Sequence, residues 1–178
     1  MKENRKHNVI LIGYMGSGKT SVGECLSKRL TYHFRDTDQL LERKAGDTIN
    51  HIFATRGEEY FRNLETELLM ELNDNLEHTV LSTGGGLPLR EQNASLLRKM
   101  GYVVFLKASK QTIIKRINRD TTRPLLRGGD INQKVESMLA VRTPIYERTA
   151  HKIIATDDKS VDEIALLIME AYLKQISK

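Results

Sequence analysis

Cys25 is the only cysteine in 178 residues, which excludes an internal disulfide and a cysteine-based metal site. No apolar run approaches the roughly 18 residues that span a bilayer. The polar start "MKENRKHN" lacks the apolar core of a signal peptide. Only three prolines and scattered glycines leave no room for a long disordered linker. His7, His33, His51, His78 and His151 form no ligand-spaced group, so a metal site of protein ligands alone is not expected. The net charge is +5, yet Lys and Arg are spread along the whole chain with no aromatic-interleaved basic patch. The expectation is a cytoplasmic protein with neither a nucleic-acid nor a membrane partner.

A chain of this length fits one domain, 1–178, with one core and at most a small mobile appendage. "NVILIG" (8–13) is nearly continuous apolar sequence, the pattern of a strand buried on both faces of a parallel sheet. Val22, Leu26 and Leu30 give one face of a helix over 19–30. A second strand is read at 32–36, then helices over 38–45, ended by Gly46, over 48–55, ended near Gly57, and from about 58 to 74. Strands follow at 79–83, 102–108 and 152–156. The remaining helices are read over 90–100, with Gly101 as C-terminal stop, over 110–118 and over about 160–175. The predicted fold is α/β: a three-layer sandwich with a five-stranded parallel sheet and helices on both faces. The polar stretch "NRDTTRPLLRGGD" (118–130), with Pro124 and Gly128-Gly129, reads as a long exposed loop.

"GYMGSGKT" fits G-x-x-x-x-G-K-[ST] at every fixed position, from Gly13 to Gly18-Lys19-Thr20. Glycines let the backbone N–H groups around Gly16, Ser17 and Gly18 turn inward about a polyphosphate. The following helix adds the positive end of its dipole, and Lys19 reaches the β and γ phosphates. Thr20 offers a hydroxyl to Mg²⁺, and Ser21 is placed for the α-phosphate. Because the motif falls between a buried strand and an amphipathic helix, the chain is expected to bind a nucleoside triphosphate. It lacks the guanine-reading N-K-x-D of a switch GTPase. It also lacks the strand-end aspartate of a motor ATPase, since "VLSTGGGLPL" runs from strand into three glycines. A small-molecule kinase needs instead a second site beside the loop and a lid that excludes water.

Candidates for that second site each have a structural alternative. Asp36 and Asp38 in "RDTDQ" fall at the carboxyl end of the second strand, where open parallel sheets bind ligands. Asp36 would equally make an N-cap for the next helix, with Gln39 completing a capping box. Arg62 has Glu58 at i−4 and Glu65 at i+3, spaced for ordinary helix ion pairs. Arg142 falls on the apolar stripe of Ile131, Val135, Met138 and Leu139, where a charge needs an anion, although Pro144 is expected to disturb the helix there. Arg116, Arg119, Arg123 and Arg127 form a spaced basic set, either a solvated loop or a source of an arginine that closes on the γ-phosphate.

The chain resembles the shikimate kinases from about residue 8 to 172. "GYMGSGKT", "RDTDQ", "IFATRGEEYFRNLE", "LSTGGG", "RPLL" and "RTPIY" occur in the family's order and at about its spacing. The resemblance implies a nucleoside-monophosphate-kinase-like fold with a substrate-binding region at about 37–65 and a lid at about 118–130. It implies ATP-dependent phosphorylation of the 3-hydroxyl of shikimate, on the way to chorismate and the aromatic amino acids, by a monomer. By position, Asp38 would bind substrate hydroxyls and act as base, while Arg62 and Arg142 would hold the carboxylate. Lys19 and Arg123 would stabilise the transferring phosphoryl group. Asp36 would join the Mg²⁺ shell through water, Arg116 would lie against adenine, and Lys159 is carried over to the adenine loop. Gly84, Gly85 and Gly86 would let backbone N–H groups approach the substrate ring. The competing expectations are a gluconate or nucleoside-monophosphate kinase of the same architecture, and a non-catalytic ATP-binding module.

Overall fold

The computed structural model describes residues 7–118 and 130–177. Strands β1 (Asn8–Ile12), β2 (His33–Asp36), β3 (Thr79–Ser82), β4 (Tyr102–Lys107) and β5 (Lys152–Ala155) form one sheet in the order β2-β3-β1-β4-β5. Every neighbouring pair is parallel. Between and after the strands lie α1 (Lys19–Leu30), α2 (Thr37–Ala45), α3 (Ile49–Asn75), α4 (Glu91–Met100) and α5 (Lys110–Ile117). The last two helices are α6 (Ile131–Thr149) and α7 (Val161–Ile176).

The alternation of side chains along a strand divides the apolar runs between two cores. Ile10, Ile12, Leu81, Val103 and Phe105 pack with Phe61, Leu69, Leu97, Val135 and Tyr146 on the face covered by α3, α4 and α6. Val9, Leu11, Val80, Val104 and Leu106 pack with Val22, Leu26, Ile164 and Ile168 on the face covered by α1 and α7. Both faces are dry, which explains why β1 reads as unbroken apolar sequence.

One local reading near Gly57 holds, and those at Pro144 and Gly101 need correction. The two helices expected over 48–55 and 58–74 are present as the two halves of α3, which meet at a kink at Gly57, where φ is 81° in the left-handed region. Pro144 does not end α6. The helix continues five residues past it because Val135, Tyr146 and Thr149 are buried against the sheet, and that packing outweighs one lost ladder bond. Gly101 does stop α4, but with φ 171° it is extended rather than left-handed. Its lack of a side chain is needed for space, since a Cβ would lie 2.5 Å from the Asn8 carbonyl oxygen.

Asn8 itself closes the edge of the sheet away from the strand C-termini. Its Nδ2 donates to Leu76 O at 2.9 Å and Met100 O at 2.8 Å, and its Oδ1 accepts from Thr79 N at 3.1 Å. One fully buried amide thereby satisfies backbone groups just after α3, at the end of α4 and at the start of β3. Asn8→Ala leaves these groups buried without partners. The expected loss is about 3–5 kcal/mol of unfolding free energy, read from urea denaturation. A loss under about 1 kcal/mol would show that the amide is dispensable.

Candidate active site

The C-terminal ends of β1, β2 and β3 converge on one crevice, and each contributes a short segment to it. After β1, the loop from Gly13 to Thr20 turns tightly at Gly16 (φ 75°) and Gly18 (φ 95°), conformations that only glycine adopts without strain. Lys19 opens α1 and folds back over the loop, its Nζ donating to Gly13 O at 2.8 Å and Tyr14 O at 3.0 Å. The Ser17 hydroxyl is buried inside the loop with no hydrogen-bond partner among the described residues. Thr20 and Ser21 are exposed in the first turn of α1. The loop, the helix N-terminus and the ammonium together form a polyanion cradle.

At the end of β2, Asp36 serves two elements at once. Its Oδ1 accepts from Asp38 N at 3.0 Å and Gln39 N at 3.3 Å, capping α2 as its sequence position allowed. Its Oδ2 faces the Thr20 hydroxyl at 3.4 Å. A hydroxyl and a carboxylate oxygen beside a phosphate loop are hard donors of the kind that take a divalent cation, partly through water. The strand-end aspartate missing after β3 is replaced by Thr83, whose N and Oγ1 both donate to Leu11 O at 3.1 Å.

The three glycines after β3 give the crevice its shape. None has a positive φ, so backbone torsion is not what requires glycine there. Space is. A Cβ on Gly84 would meet Asp38 Oδ1 at 2.5 Å and Glu65 Oε1 at 3.3 Å, and one on Gly86 would meet the Arg62 guanidinium at 2.2 Å. A Cβ on Gly85 would come within 3.4 Å of Gly13 O and 3.8 Å of an Arg142 nitrogen. Side chains from α2, α3 and α6 thus converge on three consecutive residues. The Gly84 N–H, expected to face a ligand, instead donates to the Thr37 hydroxyl at 2.8 Å.

Arg62 makes the ion pairs its helix spacing suggested, to Glu65 Oε2 at 2.8 Å and Glu58 Oε1 at 3.0 Å. Those pairs hold the guanidinium over Gly86, so the structural and the ligand-binding readings are compatible. Arg142 turns its guanidinium over the Tyr14 ring, 5.4 Å from the centroid. One turn further along α6, the Tyr146 hydroxyl donates to Gly85 O at 2.6 Å. Burial pushes Tyr146 up to about 12, so the hydroxyl keeps its proton for that bond.

On the far side of the loop, Arg116 donates to Gly16 O at 2.9 Å from the last turn of α5. Lys159 is exposed in the turn between β5 and α7. That turn is fixed by Asp157, which accepts from Ser109 and Thr112 at the start of α5; these bonds hold its carboxyl below the usual range. Arg119, Arg123 and Arg127, and nearly all of the lid expected over about 118–130, lie outside the described residues.

The comparisons with known proteins agree with this geometry. The shikimate kinase family model matches residues 15–173. The chain belongs to the shikimate kinase family. It is 43% identical to a shikimate kinase from Microcystis aeruginosa over 92% of this chain and 85% of that one. A solved shikimate kinase from Acinetobacter baumannii, in complex with shikimate, superposes with a TM-score of 0.91 at 38% identity, covering 99% and 97% of the two chains. A deoxyadenosine kinase from M. mycoides at 17% identity and TM-score 0.62 shares the fold alone. As a shikimate kinase, the protein is an enzyme that phosphorylates shikimate at the expense of ATP, in aromatic amino acid biosynthesis. It is a kinase of the kind that works with a divalent metal. Neither a gluconate or nucleotide acceptor nor a non-catalytic module is favoured. Among the described residues no helix is long and apolar enough to cross a membrane.

Glu65, Tyr14 and Tyr146 were not singled out in the sequence as site residues. Glu65 looked like an exposed helix partner for Arg62, yet it is only 1% exposed. Desolvation pushes its carboxyl from the ordinary 4.5 up to about 7; Arg62 opposes the rise and the Asp38 charge adds to it. Between pH 4.5 and 7 the folded state therefore binds this proton while the unfolded state has lost it. The group's contribution to stability accordingly falls as pH rises through that window. Glu65→Gln, which cannot ionise, should gain on the parent by about 1–3 kcal/mol between pH 5 and pH 8. In melting temperature that is a relative gain of about 3 °C or more. Parallel melting curves of the two proteins across this range would refute the buried charge.

Proposed function

We propose that the chain transfers the γ-phosphoryl group of ATP to the 3-hydroxyl of shikimate, acting as a monomer with Mg²⁺ as the divalent ion. The observation that carries the assignment of residues is the convergence of Asp38, Arg62 and Arg142, from three helices, on Gly84, Gly86 and Gly85. Two guanidiniums and the Asp38 carboxylate above side-chain-free backbone, with Glu65 paired to Arg62, match a small acceptor with one carboxylate and several hydroxyls. In this reading Arg62 and Arg142 hold the acceptor carboxylate, and Asp38 orients the hydroxyls and takes the proton of the attacking one.

The donor side follows from the loop. Backbone N–H groups of Gly16, Ser17 and Gly18, with Ser21, cradle the phosphates, and Lys19 leaves its two carbonyl partners to neutralise charge on the transferring group. Thr20 directly and Asp36 through water would hold Mg²⁺, which would supply positive charge to offset that of the phosphates. Arg116 and Lys159 would border the adenine. The share of Arg123 in phosphoryl transfer is a proposal on a residue outside the described range, as are the lid boundaries. The substrate-binding region of about 37–65 covers α2 and the first part of α3, and all parts belong to one kinase domain.

Lys19→Ala should lower turnover about a hundredfold or more, equivalent to about 3 kcal/mol of transition-state stabilisation, in a protein with an unchanged circular dichroism spectrum. Near-normal turnover would remove Lys19 from the mechanism. Arg142→Lys tests the acceptor side, because an ammonium cannot form the two parallel bonds of a guanidinium. The expected rise in shikimate KM is about ten- to a hundredfold, with a far smaller change for ATP. The methyl ester of shikimate should be a poor acceptor for the parent enzyme, and the substitution should penalise that ester much less. Equal losses with acid and ester would mean that Arg142 does not read the carboxylate.

A further inference from the structure

Tyr14 occupies the first variable position of the phosphate-loop motif, where the motif itself dictates no side chain. It is 2% exposed, although it lies in a loop whose backbone faces the nucleotide site. Its hydroxyl donates to Met138 Sδ at 2.9 Å, and its ring lies beneath the Arg142 guanidinium at 5.4 Å. Met138 and Arg142 are one turn apart on α6, so a single side chain touches the same helical face at two levels. Burial raises the Tyr14 hydroxyl above its ordinary value, and it remains a neutral donor.

We propose that Tyr14 is a positioning residue for the acceptor: its ring face holds the Arg142 guanidinium in the orientation that receives the acceptor carboxylate. This rests on Arg142 reading that carboxylate, as argued above. A cation within about 6 Å of a ring centroid is attracted by the negative face of the ring, and the attraction grows as water is excluded. On its own helix, the Tyr146 hydroxyl one turn away is committed to Gly85 O. Tyr14 constrains the guanidinium from the loop, across the boundary between the two substrates' sites. The acceptor clamp is thereby referenced to the phosphate loop rather than to α6 alone, which fixes where the acceptor hydroxyl lies relative to the phosphoryl donor.

A core-filling residue and a ring acting through its electrons give different results in a graded series. Tyr14→Phe keeps the ring, and replacing that phenylalanine with 3,4,5-trifluorophenylalanine keeps the shape while draining the ring face of negative charge. Shikimate KM should stay within about twofold for Phe and rise about three- to tenfold for the trifluoro ring. Turnover at saturating shikimate and ATP KM should move less than about twofold. The same series in an Arg142→Lys background should show a markedly smaller rise. A shikimate KM that ignores fluorination, or that rises equally in both backgrounds, overturns the proposal. The Arg142→Lys enzyme with acid and ester acceptors separately tests the carboxylate reading, so failure of that reading is told apart from failure of Tyr14 to support it. Tyr14→Leu, which removes the ring, should raise shikimate KM at least as much as the trifluoro ring. If Tyr14→Leu fails to fold, the shape-conserving series still decides.

Discussion

Everything in the acceptor half of the crevice depends on the space above three residues. Asp38, Arg62 and Arg142 come from different helices, and each would collide or crowd with a side chain at 84, 86 or 85. Because none of the three glycines uses a positive φ, the constraint is steric. A methyl group at Gly86 would stand 2.2 Å from Arg62 Nη1, which is already held by Glu65, in a guanidinium whose Nη2 is held by Glu58. The arginine could leave only by breaking a pair with a carboxylate that is almost wholly buried.

The same crowding explains the unusual electrostatics. Two carboxylates, on Asp38 and Glu65, approach one glycine, and two guanidiniums approach its neighbours. Around the buried Glu65 carboxylate, pairwise attraction and desolvation are both large. For Glu65 desolvation wins, even with Arg62 at 2.8 Å. The positive charge of the arginines is therefore less fully cancelled than the number of carboxylates suggests, which favours an anionic acceptor.

Most of the architecture was legible in the sequence because its signals are local. Strands buried on both faces read as continuous apolar runs, and the phosphate loop is defined by fixed positions next to a strand and a helix. Asp36 and Arg62 each had two readings, and both hold at once: Asp36 caps α2 with one oxygen and faces Thr20 with the other. What was not legible depends on tertiary packing. Helical spacing made Glu65 look solvent-facing, whereas it is buried beside Arg62 and has an oxygen close to where a Gly84 side chain would stand. Pro144 carried a strong local signal against helix, and the packing of Tyr146 and Thr149 overrode it. Tyr14 stood at a variable motif position, so no pattern could assign it a role.

Asn8 lies at the opposite end of the strands from the crevice, about 17 Å away along a five-residue strand. Its amide secures the chain where α3, α4 and β3 meet, and no residue proposed for chemistry is among its partners. At that distance effects on stability and effects on turnover combine additively. The molecule therefore has one edge where thermal tolerance can be tuned and another where acceptor choice is set. Sequence drift or laboratory selection at the first edge can compensate for stability lost at the second, so a variant with a new acceptor site can be repaired without revisiting the crevice.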